Sequence, residues 1–395
     1  MPSPPRAVTM IANGRVIDPA RGVDAPADVA VADGTILAVG PDLAAAYPGA
    51  TVIDATGQIV TPGLIDLHTH VFVGLGDFCL PPDRVGVESG VTTVIDAGTA
   101  GAAIFNLARR AVIDHPETRT RVLALVDPNQ IYLATKHFIC HYLEIANDPR
   151  NLDLEDAARV LAENRDVVVG MKVRATKVDD PHRSPFLEGA KSIAGELPIM
   201  VHFGAYPHTP AIADEDLLAA LRPGDIITHC FRGGAATLDA AGRPSAALRD
   251  AVARGVRLDI GHSGGDFHFG TARRLIESGF LPDTISTDLN VFNIERPVRS
   301  LPQTMSKLWA LGVPLERVIA MVTSNPARQI RRDHELGSLA PGRCADVSVL
   351  RIAEGRRVLS DGHETLAVER CLEAVGCLRA GAWIPTSRPS LEAAA

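Results

Sequence analysis

The chain has 395 residues, 46% of them apolar and 22% charged, which leaves room for one barrel of about 250 residues plus a smaller module and excludes a disordered or fibrous chain. Its 39 basic and 47 acidic residues give a formal charge of −8 without a Lys/Arg-rich run, so nucleic acid is not an expected partner. No stretch reaches the roughly 18 consecutive apolar residues of a membrane span, and the opening MPSPPRAVTM lacks the apolar core of a signal peptide, so no membrane partner is expected and the expected location is cytoplasmic.

Residues 7–57 carry short alternating strands broken by turns, in AVTMIANGRVID, DVAVADGTILAVG and ATVIDATG, with no helix long enough to alternate with them. From about residue 60 to 335 the pattern changes to apolar β-branched runs closed by turn residues: 59–70, 91–98, 121–127, 167–173, 197–202, 225–230, 256–262 and 283–289. Between them lie segments with helical period, such as LEDAARVLAENR (154–165), SPFLEGAKSIAGE (184–196), PSAALRDAVARG (244–255) and TARRLIESG (271–279). Continuously apolar strands alternating with helices read as a parallel sheet covered on its face, and eight such units favour a closed TM-type (β/α)8 arrangement, the TIM barrel, over an open α/β sheet. Residues 343–385 return to short strands with Gly/Asp punctuation, and TSRPSLEAAA ends the chain as a polar tail. The economical arrangement is one small β-sandwich built from both termini, residues 1–58 and 336–395, flanking a barrel of residues 59–335. Two independent decorations are the alternative.

The first barrel strand ends in Asp66-Leu67-His68-Thr69-His70. Positions i and i+2 of a strand share a side, so His68 and His70 can grip one ion at the C-terminal mouth of a barrel. Lys172, His202, His229 and Asp288 stand at or near the ends of later strands, and a barrel brings strand ends together. Imidazole and carboxylate suit zinc first, with manganese, iron or cobalt as alternatives, and six convergent groups suit two divalent ions. Lys172 could instead be a salt-bridging or snorkelling residue, although its place in an apolar strand end makes that costly. The six cysteines show no C-x-x-C spacing, which argues against a disulfide framework or a zinc ribbon; Cys230, beside His229, is expected in the barrel wall rather than on a metal.

The run VTPGLIDLHTH, the lysine of GMKVRAT, the histidines of MVH and ITH, the aspartate of STDL, and the later SNPAR and GSLAPGRCADVSVL resemble the binuclear amidohydrolases, the group that includes dihydroorotases and hydantoinases. The likeness covers nearly the whole chain. Within that group KVRAT, GHSGGDFHF and STDLN look closest to the amidohydrolase/deacetylase metallohydrolases, which act on acylated compounds such as N-acyl amino acids and O-acyl hydroxy acids. The resemblance implies that His68, His70 and Asp288 hold the more buried metal, that His202 and His229 hold the second, and that Lys172 bridges both as N6-carboxylysine. It further implies hydrolysis of an amide or ester by a metal-bridging hydroxide, with Asp288 as the catalytic proton carrier.

Dihydroorotases carry an arginine two residues after the second histidine to hold the substrate carboxylate, whereas here Val71-Phe72-Val73 follows His70, which disfavours that assignment. Arg174, two residues beyond Lys172, could meet an anionic small-molecule substrate instead, or equally serve an exposed salt bridge. His262 and Ser263, in the glycine-rich segment after strand seven, are further candidate substrate contacts, although those glycines could equally serve only a tight turn. Three readings compete with an acyl hydrolase: a cyclic amidase opening a hydantoin, lactam or dihydropyrimidine, a mononuclear deaminase that needs no bridging lysine, and a non-catalytic barrel scaffold. A homo-oligomer is compatible with the sequence.

Overall fold

The computed structural model describes residues 7–133, 147–204, 210–234 and 236–387. Cys140, and the expected polar tail from residue 388 onward, lie outside them. The N-terminal region forms β1 (Thr9–Asp18), β2 (Val23–Ala32), β3 (Thr35–Gly40), β4 (Thr51–Asp54) and β5 (Ile59–Pro62). Seven strands follow: β6 (Leu64–Thr69), β7 (Val91–Gly101), β8 (Arg121–Asp127), β9 (Val168–Arg174), β10 (Ile199–His202), β11 (Ile226–Thr228) and β12 (Arg257–Asp259). The chain ends in β13 (Val347–Ser360), β14 (Thr365–Arg379) and β15 (Ala382–Pro385).

Strands β6 to β12 pair in sequence order, all parallel, as one seven-stranded sheet. The run 283–289, expected as an eighth strand, forms no regular ladder. It is held by isolated parallel bridges, Asp259 with Thr284 and Thr69 with Leu289. On one side Asp288 N–H donates to His68 O (2.7 Å) and His70 N–H to Leu289 O (3.1 Å), and on the other Ile260 N–H and His262 N–H donate to Thr284 O and Ser286 O. This segment therefore joins the two edges of the sheet and closes it. The positive φ of Asp288, 54°, takes the chain out of the extended region and cuts the ladder short.

Inside the closed sheet, Ile65, Leu67, Ile95, Leu123, Leu125, Val169, Met200 and Ile226 form an apolar core, plugged by Ala327, Ile330 and Leu336. The opposite face of the strands is covered by helices, several of them started by a side-chain cap: Asp153, Ser184, Ser245 and Ser300 each accept from a backbone N–H three residues on. Among the described residues no helix is long and apolar enough to cross a membrane.

The sequence run 59–70 is divided at Gly63. Residues 59–62 pair with β1 and β13, and residues 64–69 enter the parallel sheet. A Cβ at Gly63 would lie 2.2 Å from Thr92 Oγ1, so the crossing between sheets is too tight for any other residue. Both ends of the chain supply one eight-stranded sheet, in the order β15-β14-β13-β5-β1-β2-β3 with β4 on β1. Its core joins Ile11, Val16, Val29 and Ile36 to Leu339, Val347, Val349 and Leu378. The pairing supports a sheet shared by both termini and not, by itself, a two-layer sandwich.

Candidate metal centre

The end of β6 carries His68, and His70 follows the strand directly, 1% and 5% exposed, where every residue of the strand is buried. Asp288 Oδ1 lies 3.3 Å from His68 Nε2 and 3.0 Å from His70 Nε2. The ligand atoms of these three residues all fall within 4.8 Å of one another, and so do those of His202, His229 and Asp266. The rings of His68 and His229 have centroids 5.0 Å apart, and those of His202 and His229 4.3 Å, so the two groups adjoin. Lys172 belongs to the same cluster, with Nζ 3.1 Å from His68 Nε2 and 3.6 Å from Met200 Sδ. All six sequence-predicted ligands thus converge.

The imidazoles are oriented from behind. The bond pattern assigns His68 Nδ1–H to Thr228 Oγ1 (3.0 Å), whose hydroxyl donates to Asp259 Oδ2 (2.8 Å). In the same way His70 Nδ1–H meets Thr99 Oγ1 (2.8 Å), which donates to Asp96 Oδ2 (2.8 Å). His229 Nδ1–H donates to Gly261 O at 2.6 Å. Each ring then presents Nε2 with its lone pair, the form that binds a metal. His229 Nε2 is buried and has no hydrogen-bond partner among the described residues, a donor lone pair that fits a cation. Three backbone positions here, His229, Ser263 and Asp288, have φ of 68°, 58° and 54°, a local strain that recurs at functional sites.

Burial, and then the charge of Lys172, holds the His68 imidazole well below its ordinary range; burial and Arg174 do the same to His202, and burial takes His229 down to about 4. All three are neutral at pH 7. Burial also lowers the Lys172 amine to about 7, against the pull of Asp288. A buried lysine against an imidazole nitrogen, with no carboxylate bonded to it among the described residues, is an expensive arrangement unless the amine is neutral or modified.

The other sequence-predicted positions are placed as follows. Arg174 ends β9 half-buried, two residues beyond Lys172, with its charge near the buried Tyr132 hydroxyl. His262 is fully buried and turned into the protein, with Nε2 2.7 Å from Lys307 Nζ and Nδ1 accepting from Gly264 N–H. Ser263 donates to Asp266 Oδ2 at 2.8 Å. Cys230 is a wall residue, with Sγ donating to Asp259 O. Phe72, where a dihydroorotase carries its arginine, packs against Phe105 with no exposed surface.

Asp266, Thr228, Asp259, Thr99 and Asp96 are site residues that motif reading misses. Asp266 Oδ2 lies 3.8 Å from His229 Nδ1, the nitrogen that already donates to Gly261, which sets it behind the ring as a supporting carboxylate. Asp96 and Asp259 did leave a trace in the sequence: a carboxylate within an apolar strand, as in VTTVIDAG and VRLDIGH, is costly unless something holds it.

Residues 182–363 match the amidohydrolase family, and residues 51–164 match a second family of that description. The chain is 39% identical over 338 residues to a deacetylase of Agrobacterium fabrum, spanning 84% of this chain and 79% of that protein. To a deacetylase of Brucella anthropi it is 37% identical over 347 residues, or 86% and 83% of the two chains. Among solved structures it is similar to an adenine deaminase, with TM-score 0.85 and 29% identity over 96% of this chain and 99% of that one. A dihydroorotase structure gives TM-score 0.82 and 32% identity over 97% and 100%.

Proposed function

The chain belongs to the amidohydrolase family, and on that premise we propose that it is a metal-dependent hydrolase that deacylates a small carboxylic acid, of the N-acyl amino acid or O-acyl hydroxy acid type. The observation that carries this reading is the cluster of two adjoining ligand groups with Lys172 in contact with one of them, in a chain similar over most of its length to deacetylases. His68, His70 and Asp288 would hold one divalent ion, His202 and His229 the other, with zinc the first choice for imidazole and carboxylate donors. When bound, such ions supply Lewis acidity to a carbonyl and lower the pKa of water from 15.7 towards ~7.

The chain's own residues have the remaining tasks. Lys172 reacts as the neutral amine: its nitrogen bonds to CO₂ and its proton leaves to solvent, giving a carbamate anion with two oxygens to reach both ligand groups. The ammonium has no acceptor at all. Asp288 Oδ1, between two imidazoles, is placed to take a proton from the attacking water and return it to the leaving amine or alkoxide. Burial of the imidazoles and of Lys172 keeps bulk water from the reacting atoms. Arg174 is the candidate anchor for the substrate carboxylate. For His262 and Ser263, bonded to Lys307 and Asp266, we favour support of the loop over direct contact with substrate.

The likeness to a dihydroorotase structure supports ring opening of a cyclic amide as a second reading. The buried Phe72 in place of a mouth arginine counts against it. Assay of acylated amino acids, acylated hydroxy acids, hydantoins, dihydropyrimidines and lactams separates the two. Hydrolysis of at least one N-acyl or O-acyl carboxylic acid is expected; activity confined to ring opening overturns the deacylase reading.

A further inference from the structure

Asp259 has no exposed surface, and its carboxylate accepts three hydroxyls: Thr228 (2.8 Å) and Ser286 (2.6 Å) on Oδ2, and Thr284 (2.7 Å) on Oδ1. The three come from two different places. Thr228 ends β11 and is the acceptor for His68 Nδ1–H, whereas Thr284 and Ser286 belong to the closing segment that delivers Asp288 two residues later. The same segment is tied back to β6 by Asp288 N–H on His68 O. His70 is outside this arrangement, since its Nδ1–H runs through Thr99 to Asp96, which also takes the N–H groups of Val71 and Thr99.

From this we infer that Asp259 is a positioning residue that registers His68 and Asp288 against each other, so that one donor from β6 and one from the closing segment meet on one ion. It does so without touching the ion. A carboxylate receiving three hydroxyl protons fixes the direction of each hydroxyl, and therefore leaves Thr228 Oγ1 able only to accept from the ring. The tautomer of His68 and the place of Asp288 are thus set by one buried group. His229 is joined to it through the backbone of Gly261, whose N–H meets Ser286 Oγ at 3.1 Å, and not through Thr228, so loss of the Thr228 hydroxyl falls on the ion held by the first group.

This inference rests on the metal-centre reading, and its test reads ion affinity rather than turnover. The metal-free protein is titrated with zinc against a chromogenic chelator, and its thermal unfolding is recorded alongside. Thr228→Val, which keeps the shape and removes the hydroxyl, is expected to weaken one of the two ions by about 10–100-fold, as loss of an outer-shell partner does, and to leave the other unchanged. Thr228→Ser, which restores a hydroxyl, is expected to recover the wild-type affinity. Thr284→Val, on the other carboxylate oxygen, should act in the same direction as Thr228→Val and serves if that variant does not fold. Wild-type affinity for both ions in the two valine variants, or equal weakening of both ions, overturns the assignment while the metal-centre reading stands. A wild-type protein that takes up no zinc in the same titration overturns both.

Discussion

Gly98 lies against Lys172 so closely that a Cβ on it would stand 2.6 Å from Lys172 Cβ and 2.8 Å from Cγ. Its φ of 76° is itself a conformation that L side chains rarely adopt. The bend of β7 at this glycine is what admits the lysine to the cluster. Gly98→Ala should therefore expel Lys172 from beside His68 and destabilise the fold by about 1 kcal/mol or more. Metal content and thermal unfolding check it; a variant with wild-type metal content and stability contradicts the packing argument.

Lys172→Ala removes the group that reaches both ligand sets. The second ion should be lost and activity should collapse, with partial recovery when acetate or propionate and excess metal are added, since a short carboxylate resembles the missing part of a carbamate. Metal counting and turnover are the measurements. A Lys172→Ala protein that holds two ions and hydrolyses at the native rate shows that the bridge is another group.

Asp288→Asn tests the proton carrier. The amide keeps the size of the side chain and loses its basicity, so kcat should fall by about 10²–10⁴-fold. Because Asp288 is also a ligand, the ions must be counted in the same preparation. A variant with both ions and near-native turnover assigns the proton to another residue.

Much of this centre was legible in the sequence, for a definite reason. His68 and His70 share a side by the two-residue period of a strand, and Lys172, His202, His229 and Asp288 stand at strand ends that a barrel must bring together. What was not legible depends on contacts between segments distant in sequence. The apolar run 59–70 gives no sign that Gly63 passes it from one sheet to another, because both halves are equally buried. The eighth strand looked regular, since no propensity reveals that Asp288 takes a positive φ to reach two imidazoles. His262 looked like a mouth residue from its glycine-rich surroundings, whereas its partner, Lys307, comes from the helix Leu301–Ala310.

Lys307 yields a pH prediction. Burial lowers its amine to about 7, with Asp361 pulling the other way, while an unfolded lysine titrates near 10.4. Between those values the unfolded chain carries one more proton at this site than the folded one, so stability rises as pH rises from about 7 to about 10, and the cost of charging the buried amine is fully present below that window. Lys307→Met removes the site. The stability of the wild type relative to this variant should increase across the window in denaturant unfolding; a constant difference means that Lys307 titrates normally.

The central claim is a site for two ions, and elemental analysis tests it most directly. The protein is produced with zinc or manganese in the medium and purified without chelators, and the divalent metal is measured per chain. His68, His70, His202, His229 and Asp288, with Lys172 as the sixth group, predict close to two ions. A content that stays near zero contradicts the account.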